Sequence, residues 1–113
     1  MAESKKEAKT IEYVDFAPPA DVIEDNTGIK LVLDVPGSCS ECLDIDVEDR
    51  VLKITAGTDV VRCDKTVRYK RSFQISDQIA VNKIKAKVVD GILTLDLPKT
   101  DHAKVHKIKI HTD

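Results

Sequence analysis

Ala86-Lys87-Val88-Val89-Asp90-Gly91-Ile92-Leu93-Thr94-Leu95-Asp96-Leu97-Pro98-Lys99 is the stretch whose reading decides the fold. Ile84, Ala86 and Val88 before Asp90-Gly91, and Leu93, Leu95 and Leu97 after it, recur at every second position, the period of a strand with one buried face. Asp and Gly both tolerate the positive φ of a type I′ turn, so the pair predicts a two-residue hairpin. Pro98 has no N–H to give to a ladder and stops the second strand.

The same period continues upstream. Ile29, Leu31, Leu33 and Val35 run to a stop at Pro36-Gly37, after a first short strand at Val22-Ile23 and the turn Glu24-Asp25-Asn26-Thr27-Gly28. Leu43, Ile45 and Val47 alternate with Asp44, Asp46 and Glu48, which puts the carboxylates on a solvated face. Asp49-Arg50 connects this strand to Leu52, Ile54 and Ala56, and Val67, Tyr69, Arg71, Phe73 and Ile75 form another. Residues 58–66 read as a loop with at most one weak strand. About seven short strands with no amphipathic helix between them predict an all-β fold, an immunoglobulin-like antiparallel two-sheet sandwich, with a barrel as the lesser option.

A chain of 113 residues with 42% hydrophobic residues and no Trp suits a single domain with an aliphatic core. The expected division is a short flexible arm over 1–16, a domain over 17–99 and an extension over 100–113. Ile11, Tyr13, Val14 and Phe16 are the apolar part of the arm. Eighteen basic against twenty acidic residues, dispersed along the chain, leave no field to hold nucleic acid. No apolar run approaches the ~20 residues that span a bilayer, and the charged start Met1-Ala2-Glu3-Ser4-Lys5-Lys6-Glu7 does not look like a secretory signal. A cytoplasmic protein is expected.

Taken in order, several segments resemble the small heat-shock protein family and its α-crystallin domain. The Ala86 to Lys99 stretch resembles its signature of Ala, three variable residues, Asn or Asp, Gly, an aliphatic residue and Leu, then a strand ending in Pro-Lys. Pro19 to Glu24 resembles its opening strand, Leu33-Asp34-Val35-Pro36-Gly37 its strand ending in Pro-Gly, and Arg71-Ser72-Phe73 its Arg-x-aromatic strand. Ile108-Lys109-Ile110 resembles its C-terminal Ile-x-Ile anchor. Together they cover residues 19–110.

This resemblance implies an ATP-independent holdase that captures partly unfolded proteins and assembles with itself. Ile108 and Ile110 would dock in a groove on another chain, lined by Leu43, Ile45 and Val47 and by the strand around Lys85, Lys87 and Val89. The polar tether of Thr100 to Lys107 could span about 25 Å if extended. The competing reading makes the two isoleucines a last strand of their own sandwich. Tyr69, Arg71 and Phe73 would lie at the dimer interface, and Ile11, Tyr13, Val14 and Phe16 would bind clients. Relatives carry a longer insertion where Thr58 to Val67 stand, so strand exchange is in doubt; either an edge-to-edge contact of the Val67 to Ile75 strand or a weakly formed dimer is expected, with small oligomers. The alternative function is a non-chaperone adaptor, as in the related CS-domain cochaperones.

No constellation for catalysis stands out, no Gly-x4-Gly-Lys-Ser/Thr loop is present, and no cofactor is implied. Cys39-Ser40-Glu41-Cys42 has the spacing of zinc and redox pairs. A zinc site would need two more ligands, Cys63 and one of His102, His106 or His111, which the sandwich gives no reason to bring together. A redox pair and ordinary loop thiols are the other readings.

Overall fold

In the computed structural model, residues 11–103 and 107–112 are described, the side chain of His102 excepted. Residues 1–10 of the expected arm, and His106 with the rest of 104–106 in the tether, lie outside the described residues.

Among the described residues eight strands form two four-stranded sheets. They are β1 (Tyr13–Phe16), β2 (Ala20–Glu24), β3 (Gly28–Asp34), β4 (Leu43–Glu48), β5 (Val51–Arg62), β6 (Lys65–Gln74), β7 (Lys85–Val89) and β8 (Ile92–Pro98). One sheet has the order β1-β6-β5-β4 and the other β2-β3-β8-β7. The expected sandwich is thus present. Its pairings are antiparallel except one: β1 lies parallel to β6, with Tyr13 opposite Thr66 and Phe16 opposite Tyr69.

Alternation built this core. Leu31, Leu33, Leu93, Leu95 and Leu97 from one sheet and Leu52, Ile54 and Ala56 from the other are buried to 2% exposure or less. Registered pairs set the layers: Leu31 faces Leu95 and Leu33 faces Leu93 across β3 and β8. The Asp90-Gly91 hairpin forms as its residues dictate, with φ of 52° and 76°, and pairs Val89 with Ile92.

Two expectations are corrected. Residues 58–66 are no loop: β5 runs on to Arg62, with a register shift between Gly57 and Val61, and turns at Cys63-Asp64 into β6. Both turn residues have positive φ, 51° and 66°, the conformation that matches the twist of two hairpin strands. The arm likewise ends earlier than expected, since Tyr13–Phe16 belong to a sheet. A parallel pairing across about fifty residues leaves no turn signal in the sequence, because parallel neighbours need long crossovers.

Candidate interaction edges

The two sheets expose different edges on their two sides. On one side β1 and β6 stand near β2 and β3, tied by the Arg71 Nη1 to Pro18 carbonyl bond of 2.6 Å and the Tyr69 hydroxyl to Pro36 carbonyl bond of 3.1 Å. The opposite side therefore carries β4 and β7, each the last strand of its sheet.

Along β4, Leu43, Ile45 and Val47 alternate with exposed Asp44, Asp46 and Glu48 and pack half-buried against the core. They sit opposite Ala56, Ile54 and Leu52, which fixes them on the inner face. On β7 the residues opposite buried Leu95 and Leu93 are Ala86 and Val88. Directly opposed strand residues share a face. Ala86 and Val88 therefore face inward, and Lys85, Lys87 and Val89, expected to line a groove, project from the outer face beside Asp96, Thr94 and Ile92. The expectation chose the wrong alternate set, and a shift of one residue exchanges the faces of a strand. Ala86 points inward and is still exposed, so this side of the sandwich is open at its apolar edge.

Ile108 and Ile110 are each 85% exposed. Residues 107–112 join neither sheet, so the two isoleucines are not a last strand of their own sandwich.

Tyr69, Arg71 and Phe73 lie half-buried on the inner face of β6, opposite Ala56, Ile54 and Leu52. Arg71 is engaged within its own chain, bonded to the Pro18 carbonyl and placed 5.1 Å from the Phe73 ring centroid. The outer edge of β6 is covered by β1 over Thr66 to Tyr69. An edge-to-edge contact along the whole Val67 to Ile75 strand is thereby ruled out unless β1 leaves; only the part from Lys70 onward is uncovered.

Of the arm's apolar residues, Val14 is half-buried in β1, while Ile11, Tyr13 and Phe16 keep 61%, 42% and 39% exposure. Sequence reading missed what holds β1. Arg68 donates through Nε and Nη2 to the Asp15 carboxylate at 2.7 and 3.1 Å, and its guanidinium lies 4.1 Å from the Tyr13 ring centroid. The hydrogen bond from Arg68 holds the Asp15 carboxyl below its ordinary 3.8. A depressed carboxyl contributes stability that is present above 3.8 and is lost as pH falls through the lowered value. Acidification below the ordinary carboxylate range is therefore expected to loosen β1 on β6. Amide exchange of Thr66, whose N–H donates to the Glu12 carbonyl at 2.9 Å, reads this: its protection should fall with pH, and Asp15→Asn should remove the dependence.

Cys39 and Cys42 lie side by side, whereas Cys63 occupies the β5–β6 turn. Among the described residues no three His, Cys, Asp or Glu side chains are grouped to hold a metal ion, and no helix is long and apolar enough to cross a membrane.

The model of the Hsp20/alpha crystallin family matches residues 21–111. The chain belongs to that family. Among curated relatives, the probable 15 kDa heat shock protein of Leptospira interrogans is 31% identical over 86% of this chain and 78% of its own. The 18 kDa antigen 2 of Mycobacterium avium is 29% identical over 82% of this chain and 73% of its own. Among solved structures, heat shock protein 16.0 from Schizosaccharomyces pombe superposes with a TM-score of 0.66 at 19% identity, covering 87% of this chain and 77% of that one. That likeness is one of fold. Family membership makes this a small heat-shock protein, a class of chaperones that is generally non-enzymatic, and places the edges above in a chaperone domain.

Proposed function

We propose that the chain is an ATP-independent holdase of the cytoplasm, which binds partly unfolded proteins and assembles by docking Ile108 and Ile110 of one copy against the β4 and β7 edges of another. The observation that carries it is the pairing of two isoleucines 85% exposed on a segment outside both sheets with an open apolar edge made by Leu43, Ile45, Val47, Ala86 and Val88. Burying one isoleucine fully is worth about 1.5–3 kcal/mol, so two give a contact that holds when repeated and still opens reversibly.

Small assemblies are the expected state. Residues 58–67, where relatives carry a longer insertion, are taken up by this chain's own hairpin, which supports dimerisation without strand exchange. Arg71 and Phe73 contribute to that contact at the uncovered end of β6, with Tyr69 beside it under β1. Exposed Ile11, Tyr13 and Phe16 offer clients a modest apolar surface. Nucleic acid and membranes are not among its partners in this reading.

The test is to heat a labile model protein with the chain while following light scattering. Suppression of aggregation at about equimolar chain without nucleotide is expected. Failure at several-fold molar excess would favour an adaptor with one defined partner instead.

A further inference from the structure

Cys39 caps the start of a short 3-10 turn, Ser40–Cys42, and Cys42 ends it, leading directly into β4. The Cys42 N–H donates to the Cys39 carbonyl at 2.9 Å, which closes the turn and holds the two residues together. The two Sγ atoms are 2.6 Å apart, and both cysteines are exposed. Cys63 shares their exposure and sits in the distant β5–β6 turn, so the same chain carries an internal reference thiol.

We propose that Cys39 and Cys42 are a dithiol site that a low-molecular-weight disulfide converts to an internal disulfide, setting the start of β4 in one of two covalent states. The Cys42 thiolate attacks one sulfur of the small disulfide, breaking its S–S bond and releasing one thiol. Cys39 then gives up its proton and attacks the Cys42 sulfur, forming the internal S–S bond and expelling the second thiol. Two protein thiols are oxidised and one small disulfide is reduced to two thiols. Either sulfur could be the donor in the Cys39–Cys42 contact, so the same exchange can open at Cys39 and ends in the same products. The second step is fast because the partner sulfur is already in place. Any effect of this switch on anchor docking rests on the proposed role of the β4 edge; the chemistry of the switch does not.

The experiment equilibrates the full chain with mixtures of oxidised and reduced glutathione, quenches it, alkylates free thiols and maps the three cysteines by peptide mass. The expected result is a Cys39–Cys42 bond with the chain still monomeric on a non-reducing gel, and Cys63 alkylated at least about tenfold more than either, as an intramolecular partner at high effective concentration requires. Cys39→Ser should hold Cys42 as its mixed disulfide with glutathione. Equal alkylation of all three cysteines, or accumulation of mixed disulfides alone in the unaltered chain, would overturn the proposal.

Discussion

Replacing Ile108 and Ile110 together by alanine is expected to reduce the particle to its smallest unit, read as a fall in mass by light scattering, while circular dichroism keeps its strand signature. The sandwich should not notice the change, because both side chains are 85% exposed and contribute nothing to its core. The intersubunit contact should lose nearly everything. Two isoleucines at about 1.5–3 kcal/mol each amount to about 3–6 kcal/mol per docked segment. That is a factor of about 10² to 10⁴ in affinity. Each single variant should weaken assembly by an intermediate amount. A double variant that keeps the mass of the unaltered chain would remove the anchor from the account.

The second large effect is expected in the deciding hairpin itself. Leu95 is fully buried, facing Leu31 on β3 and Ala86 on β7. Leu95→Ala leaves a cavity between these neighbours and should cost about 2–5 kcal/mol. That is a large share of the roughly 5–15 kcal/mol that holds a domain together. Urea unfolding in the Ile108→Ala/Ile110→Ala background, at fixed protein concentration, keeps subunit association out of the measured value. Val89→Ala is the internal comparison. Val89 lies on the outer face and is 53% exposed, so its loss should stay within about 0.5 kcal/mol. A reversed order of the two variants would mean the hairpin register is off by one.

That comparison also marks what the sequence could and could not tell. Strands with strict alternation and a turn at each end, such as Leu43 to Glu48 and Ile92 to Leu97, are legible because burial on one face writes itself as a period of two. The Asp90-Gly91 turn is legible for the same local reason. The face of β7 was harder. Its residues Lys85 to Val89 are mostly exposed, so their own pattern is weak; only the pairing with Leu93 and Leu95 assigns Ala86 and Val88 to the inside. The β5–β6 hairpin was missed because Cys63-Asp64 lacks the glycine that usually announces a tight turn, and Val60 and Val61 are consecutive where alternation is expected. Strand β1 left no local trace at all: its partner is far away in sequence, and its hold is the Asp15–Arg68 pair together with the Tyr13 ring.

Of the candidate site, the anchor and the β4 wall were legible as residues, while their openness was not. Nothing in Ile108-Lys109-Ile110 says whether it folds back on its own sheet. The structure leaves it outside both sheets, on a chain whose β4 and β7 edges are free on the inner side. The contact of Arg71 with the Pro18 carbonyl is a similar case: a half-buried, inward-pointing charge at the sandwich rim is satisfied by a backbone oxygen, which no local pattern announces.

The most direct test of the central claim is to titrate a peptide spanning residues 107–112 into the Ile108→Ala/Ile110→Ala chain and follow backbone amide resonances. The account predicts saturable shifts concentrated on Leu43 to Glu48 and Lys85 to Val89, abolished when both isoleucines of the peptide are alanine. Shifts confined to β2 and β3, or none at all, would contradict it.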